Sequence, residues 1–191
     1  MKLTMTTALG TVLLAAAPAF ADKAAVLDNY ADIALAKYSD SLTTAQTLLA
    51  AVNTLTETPS AEALEAAKHA WLAARVPYQQ TEVYRFGNAI VDEWEGRVNA
   101  WPLDEGLIDY VDATYGGATD ENEYAVLNVV ANTSFTLSGE TIDASTITAT
   151  LLEETLHEAD GVEANVATGN HALEYLLRGQ DINRHVTGAG N

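Results

Sequence analysis

The sequence predicts an all-α protein, an up-and-down helical bundle, on the strength of two observations. Apolar residues recur at steps of three, four and five along residues 22–56, which is the period of an amphipathic helix. The chain of 191 residues also shows no run of alternating short strands and no internal repeat of about 20–50 residues. With 48% hydrophobic residues, it is long enough to bury the core of one domain.

The first 21 residues predict a signal peptide rather than part of the fold. Lys2 is followed by an apolar stretch over residues 8–17, and Ala19-Phe20-Ala21 has the small-x-small pattern of a cleavage site. The stretch is too short to span a bilayer, and no later run is longer. We therefore expect an exported mature chain of residues 22–191, located in the periplasm and without a membrane span. Because the chain has no cysteine, it is not expected to be a lipoprotein.

Two helices are predicted first. The long helix at residues 22–56 is followed by a second, for which Thr58 is the expected cap and Pro59 the first helical residue. Its apolar period continues through Trp71 to Tyr78, with a kink expected at Pro77.

The rest of the chain is predicted to be less regular but still helical. The sequence indicates resumed helix at 79–86, a partly helical connection at 89–120, and short helices at 121–130, 145–166 and 171–178. Residues 132–142 read as a loop, and Gly169-Asn170 as a helix break. The last ten residues are predicted to form a loop with no further element after it, so we expect a fragment or a naturally halved version of a longer protein.

Composition excludes several functional classes. Acidic residues outnumber basic ones 27 to 9, giving a formal net charge of −18, which repels nucleic acids and suits cations. The lack of cysteine excludes disulfide scaffolds, cysteine-ligated zinc, iron–sulfur clusters and thiol catalysis. The sequence has no Gly-x-Ser-x-Gly elbow, no phosphate loop and no His-Glu-x-x-His motif, so known patterns of nucleophilic or zincin catalysis are absent.

The most informative local pattern is His171 with Glu174. Residues three apart on a helix share a face, and an imidazole beside a carboxylate can bind zinc or iron. Two ligands do not make a site, so further donors must come from another helix. As a bare pattern, the pair is weak evidence, because this spacing more often belongs to a surface or otherwise satisfied polar pair. Glu153 and His157, four apart, are expected to form a solvated face.

Three blocks together resemble the imelysin family of periplasmic helical proteins: residues 71–87, 101–110 and 169–181, the last with the family's Gly-x-His-x-x-Glu motif. The resemblance implies a fold of two helical-bundle halves and a link to bacterial iron acquisition, as in iron-regulated and EfeO-like proteins. It makes residues 22–191 an imelysin-like domain that stops where the second half should begin.

The resemblance also implies a set of site residues. His171 and Glu174 carry over as metal ligands, Glu82 and Asp104 are brought to the same pocket, and Arg75 supports it. The leading hypothesis is thus an exported protein of iron uptake that binds a divalent metal, iron or zinc, either as the ion or as an iron chelate. Its partner would be a periplasmic or membrane component of iron uptake.

Two alternatives remain open. One is a zinc-dependent peptidase of the imelysin type, in which the metal would activate water and a carboxylate would act as the general base. The other is an interaction module without metal, in which the motif caps a helix and Glu174 interacts favourably with the dipole at the helix N-terminus.

Overall fold

The computed structural model describes residues 22–114 and 116–179. The predicted signal peptide and the terminal loop lie outside these residues. The elements in chain order are α1 (Lys23–Glu57), α2 (Ala61–Gln79), a 3-10 turn (Glu82–Tyr84), α3 (Ala89–Val98), α4 (Glu105–Ile108), β1 (Ser134–Leu137), β2 (Glu140–Asp143), a π turn (Leu151–Thr155), a 3-10 turn (Ala159–Gly161) and α5 (Gly169–Arg178). The all-α prediction is confirmed, since β1 and β2 form the only sheet within the described residues.

The long first helix is confirmed almost to the residue. Asp22 caps it, accepting a hydrogen bond from the Ala24 amide at 3.0 Å, and the helix ends at Glu57. A short turn leads to α2, whose cap is Ser60, not Thr58 as predicted. The Ser60 hydroxyl accepts from the Ala63 amide at 3.1 Å, so Pro59 lies before the helix rather than in its first position. Helix α2 continues for two residues beyond Pro77.

The predicted helix at residues 121–130 is wrong. The amides of this segment donate to the carbonyls of α4 instead of to their own preceding turn, in the bonds Asn128 to Gly106, Val129 to Leu107 and Val130 to Ile108. Hydrogen bonds to α4 therefore replace the hydrogen bonds that a helix would form within this segment. The left-handed φ of +51° at Asn128 also interrupts helical geometry there.

The predicted helix at residues 145–166 is also wrong. It is reduced to the π turn and a 3-10 turn, because Glu158 and Asp160 adopt left-handed φ angles of +50° and +59°. Asn165 stabilises the irregular path, since its buried side chain donates to the Ala159 carbonyl and its own carbonyl accepts from the Glu158 amide.

The predicted loop at residues 132–142 contains the β-hairpin. Phe135 pairs with Ile142 across the two strands, and Ser138 and Gly139 form the turn with φ angles of +50° and +85°. Two consecutive left-handed residues are the signature of the tight turn that favours hairpins.

Two apolar clusters hold the molecule together and meet at α5. The larger is built around the fully buried Leu107, Leu156 and Val166 and includes Tyr175 of α5. The smaller joins Leu48 of α1 to α2 and to Leu177 of α5. Because both clusters include residues of α5, this helix is fixed to the α1–α2 hairpin on one side and to the irregular half on the other. No helix within the described residues has the length and apolar character needed to cross a membrane.

Candidate metal-binding site

The glycine of the Gly-x-His-x-x-Glu motif is required by packing. Gly169 begins α5 with a φ of +85°, and a Cβ placed there would lie 2.6 Å from the Val98 carbonyl oxygen. Both features exclude a side chain at this position, since a left-handed φ favours glycine and the backbone of α3 occupies the space. The start of α5 is thus pressed directly against the end of α3.

Side chains on either side of Gly169 secure this junction. The Thr168 hydroxyl donates to the Arg97 carbonyl, and the Asn170 amide group donates to the Val98 carbonyl, both at 3.0 Å. These carbonyls belong to the last turn of α3, whose acceptors have no partner within their own helix. The indole of Trp71 on α2 donates to the Asn170 carbonyl at 2.9 Å. Two elements, α2 and α3, therefore fix the backbone that precedes His171.

His171 and Glu174 lie together one turn apart, as their spacing predicts. The imidazole Nδ1 is 3.6 Å from the Glu174 carboxylate, and the two side chains are 18% and 37% exposed. The ring of Trp101 packs against the imidazole, with centroids 4.7 Å apart. The pair is therefore partly sheltered but open to solvent on the carboxylate side.

The electrostatic surroundings favour the neutral imidazole. Burial lowers the pKa of His171 below its usual 6.5, and the positive charge of Arg75 lowers it further. The carboxylates of Glu174 and Glu95 oppose the shift without reversing it. A neutral imidazole has a lone pair available at neutral pH, which is the form that binds a metal.

Arg75 is held close to this pair by α3. Its guanidinium donates to the Asn99 side-chain oxygen at 2.5 Å, and the Asn99 amide group donates to Glu95 at 3.1 Å. The guanidinium also lies over the ring of Tyr78, 5.5 Å from its centroid. Arg75 is the residue predicted to support the site, and its charge lowers the pKa of His171.

Glu82 lies on the wall of an acidic pocket next to this pair. The pocket has a volume of about 410 Å³ and shares Trp101 with the His171 environment. Its charged lining residues are four glutamates and one arginine, namely Glu82, Glu95, Glu158, Glu163 and Arg85. The Arg85 guanidinium lies 2.9 Å from Glu95 and 3.1 Å from Asp92. The lining therefore keeps an excess of negative charge.

Asp104 belongs to a separate hydrogen-bond network. Its carboxylate accepts from the Asn122 side chain at 2.5 Å, and the same Asn122 group donates to the Asn165 side chain at 2.9 Å. Burial raises the pKa of Asp104, and the Asn122 bond opposes the rise. Of the four predicted ligands, the structure thus brings only His171 and Glu174 into contact. Across residues 22–114 and 116–179, no three His, Asp or Glu side chains form a group that could hold a metal ion.

Glu105 is a residue of this region that the sequence reasoning missed. Its Oε2 is buried without a hydrogen-bond partner, and burial together with the charge of Glu174 raises the pKa of its carboxyl group. Glu105 follows Asp104 directly at the start of α4, between the apolar Leu103 and Leu107. The sequence signal that could have identified Glu105 is an acidic residue placed between apolar residues of the core.

Comparison with known proteins shows similarity to a described family and to a named relative. The imelysin family model (peptidase M75) matches residues 34–190. A segment of 58 residues is 41% identical to "Iron-regulated protein A" of Synechococcus elongatus, covering 30% of this chain and 16% of that protein.

Proposed function

Because the chain belongs to the imelysin family, we propose that it is an exported protein of bacterial iron handling that binds a divalent metal ion, with iron as the first candidate and zinc as the second. The observation that carries this proposal is the pairing of His171 with Glu174, with an imidazole kept neutral by burial and by Arg75. The similarity to a protein named for iron regulation supports an iron-related role.

Glu105 is the best-placed third donor. Its carboxylate has a buried oxygen without a hydrogen-bond partner and is repelled by the charge of Glu174. A cation bound between the two carboxylates would offset this repulsion. Rotation of the Glu105 side chain toward the pair would bring imidazole and carboxylate oxygens together, a donor set suited to iron or zinc. Glu82 and Asp104 would supply further oxygens only after larger side-chain movements.

The acidic pocket offers a path to this pair. Its four glutamates raise the local concentration of cations, and Trp101, which lines the pocket, also packs against the His171 ring. Export to the periplasm is proposed from the signal-peptide pattern of residues 1–21. An iron chelate as ligand, and a periplasmic or membrane partner of iron uptake, belong to the same proposal.

The test is titration calorimetry of the purified protein with Fe²⁺ under anaerobic conditions and with Zn²⁺. We expect binding of one ion per chain, and His171→Ala and Glu174→Ala should each raise the Kd on the order of 100-fold or more, because each removes a ligand. The matched control is His69→Ala, which removes an exposed histidine outside the site. Equal, weak binding by all four proteins would contradict the proposal and assign cation uptake to the acidic surface.

The third donor is identified by three further variants. Glu105→Gln, Asp104→Asn and Glu82→Gln each remove a negative charge with little change in shape. We expect Glu105→Gln to weaken binding most, because Glu105 interacts directly with Glu174. A larger loss for Asp104→Asn or Glu82→Gln would replace Glu105 in the ligand set while leaving His171 and Glu174 in place.

A further inference from the structure

Helix α1 carries a second apolar face in addition to the one it packs against α2. Leu27, Leu35, Leu42 and Leu49 are 67%, 69%, 60% and 61% exposed. Their spacings of eight, seven and seven residues place them on one side of the helix, over about 33 Å at 1.5 Å per residue. We call these four residues the leucine stripe.

The leucine stripe differs from the face that packs within the chain. The inner face of α1 carries Leu48, which is buried, with Ala51, Val52 and Leu55 packed against the same cluster. At 100° per residue, the centre of the stripe lies roughly 110° around the helix from this inner face. Exposed leucines repeated at steps of seven and eight residues along one side of a helix are typical of a surface that binds another helix.

The charge distribution indicates what kind of surface could cover the stripe. Residues 41–56 contain no charged side chain, although the whole chain has a net charge of −18. Within this segment Thr43, Thr47 and Thr54 each donate their hydroxyl to a carbonyl one turn earlier in the helix. Their hydrogen-bonding capacity is thus used locally, which lowers the cost of removing them from water. This half of α1 can therefore lie against another copy of the chain without placing a charged side chain of its own in the contact.

We propose that the leucine stripe binds the same stripe of a second copy, with the two α1 helices antiparallel. The four leucines lie nearly symmetrically about Tyr38, so a two-fold axis near this residue sets Leu35 beside the partner's Leu42. The same axis sets Leu27 beside the partner's Leu49. Every leucine of the stripe then packs on a leucine.

The antiparallel direction follows from the charges on α1. Asp28 and Asp32, the aspartates of α1 that lie nearest the leucine stripe around the helix, are both in its first half. An antiparallel pair sets Asp28 and Asp32 opposite the uncharged residues 41–56 of the partner. A parallel pair would set each aspartate opposite the same aspartate of the partner, which is unfavourable.

Sedimentation equilibrium on the full chain, as purified, tests the association. We expect a mass twice that of the single chain at micromolar concentration, and Leu35→Glu/Leu42→Glu should raise the dimer dissociation constant more than 100-fold. The matched control Leu176→Glu makes the same change at an exposed leucine of α5, 55% exposed, and should leave the dimer intact. A wild-type monomer, or a dimer unaffected by the double change, would overturn the proposal.

Two further measurements keep the result interpretable. Leu35→Ala/Leu42→Ala removes the apolar contacts of both leucines but keeps the helix, because alanine is the best helix former. It should therefore weaken the dimer without changing the helix content measured by circular dichroism. The chain has no cysteine, so single-cysteine crosslinking reports the direction. A mixture of Leu35→Cys and Leu42→Cys chains should form mixed disulfide dimers in preference to either alone. Preferential crosslinking of each variant to itself would overturn the antiparallel arrangement.

Discussion

Gly169 shows how strictly one position of the motif is determined. Its φ of +85° and the 2.6 Å distance between the Val98 carbonyl oxygen and an added Cβ are independent constraints. We expect Gly169→Ala to destabilise the protein by about 2–4 kcal/mol. The alanine would have to adopt a strained φ, and the backbone of α3 would have to move to make room for its Cβ. Urea unfolding monitored by circular dichroism measures the change.

Gly87→Ala separates the two effects. Gly87 also has a positive φ, of +73°, but no atom of the described residues lies within 4 Å of an added Cβ. This variant should lose only the conformational term, about 1 kcal/mol. Equal losses for the two variants would mean that contact with α3 contributes nothing at Gly169.

The lowered pKa of His171 determines the pH dependence that we expect for the proposed metal site. Metal and proton compete for the imidazole. Burial and the positive charge of Arg75 lower the pKa of His171, so its protonation begins at a lower pH than that of an ordinary histidine. The Kd for Zn²⁺ should therefore be constant from pH 7.5 to about 6.5 and rise by up to about tenfold per pH unit at lower pH. Titrations at four pH values measure this, and an affinity that already falls between pH 7.5 and 6.5 would contradict the shift.

Glu105 should reduce stability at neutral pH in the absence of metal. Its pKa is raised in the folded state above the ordinary 4.5, so the folded protein holds that proton more tightly and loses stability as pH rises through the folded pKa. Glu105→Gln should therefore stabilise the chelator-treated protein by about 1 kcal/mol at pH 7, and the gain should vanish near pH 4.

Thermal unfolding of Glu105→Gln at both pH values checks this, with Glu121→Gln as the control at an exposed position. A gain that persists at pH 4 would assign the effect to something other than ionisation.

Sequence reasoning predicted part of the site because part of it is local. His171 and Glu174 share a helical turn, so their spacing alone places them together. The partners supplied by other elements are different, because Glu95, Trp101 and Glu105 approach through tertiary packing that no local pattern encodes. Whether Glu82 and Asp104 join His171 stays a prediction.

At the scale of elements, Trp71 joins α2 to α5. It is almost fully buried against Leu48 and Leu177, and its indole donates to the Asn170 carbonyl. We expect Trp71→Ala to destabilise the protein by about 3–5 kcal/mol, since it removes a large buried ring together with the indole hydrogen bond. Trp71→Phe keeps most of the apolar contact and should lose less, about 1–2 kcal/mol. A loss below about 1 kcal/mol for Trp71→Ala, measured by urea unfolding, would contradict its place in the core.

The elements that could be predicted are those whose stabilising partners are regular. Helix α1 was predictable because its inner face follows one period over its whole length. The segment 145–166 also shows a helical period, but Glu158 and Asp160 leave the helix because buried Asn165 binds the backbone instead. The hairpin had a usable signal in Ser138-Gly139 between residues of high β propensity, although the same two residues are equally typical of a loop.

The whole molecule is dominated by its negative charge. A formal charge of −18 on one small chain produces self-repulsion that is strongest in the compact state. The melting temperature of the chelator-treated protein should therefore rise by a few degrees between about 10 and 500 mM NaCl, where the screening length falls from roughly 30 Å to a few ångströms. Scanning calorimetry measures this. A melting temperature that falls with salt would mean that ion pairs such as Arg85–Glu95 outweigh the repulsion.

The contacts that secure the start of α5 also determine when the site can form during folding. Trp71 and Asn170 are 99 residues apart in the chain, and Arg97 and Thr168 are 71 apart, whereas α1 and α2 are joined by a short turn. Closing such long loops is entropically unfavourable, so the α1–α2 hairpin gains order early and the His171 region late. The surroundings of His171 and Glu174 are therefore completed only after these distant contacts have formed.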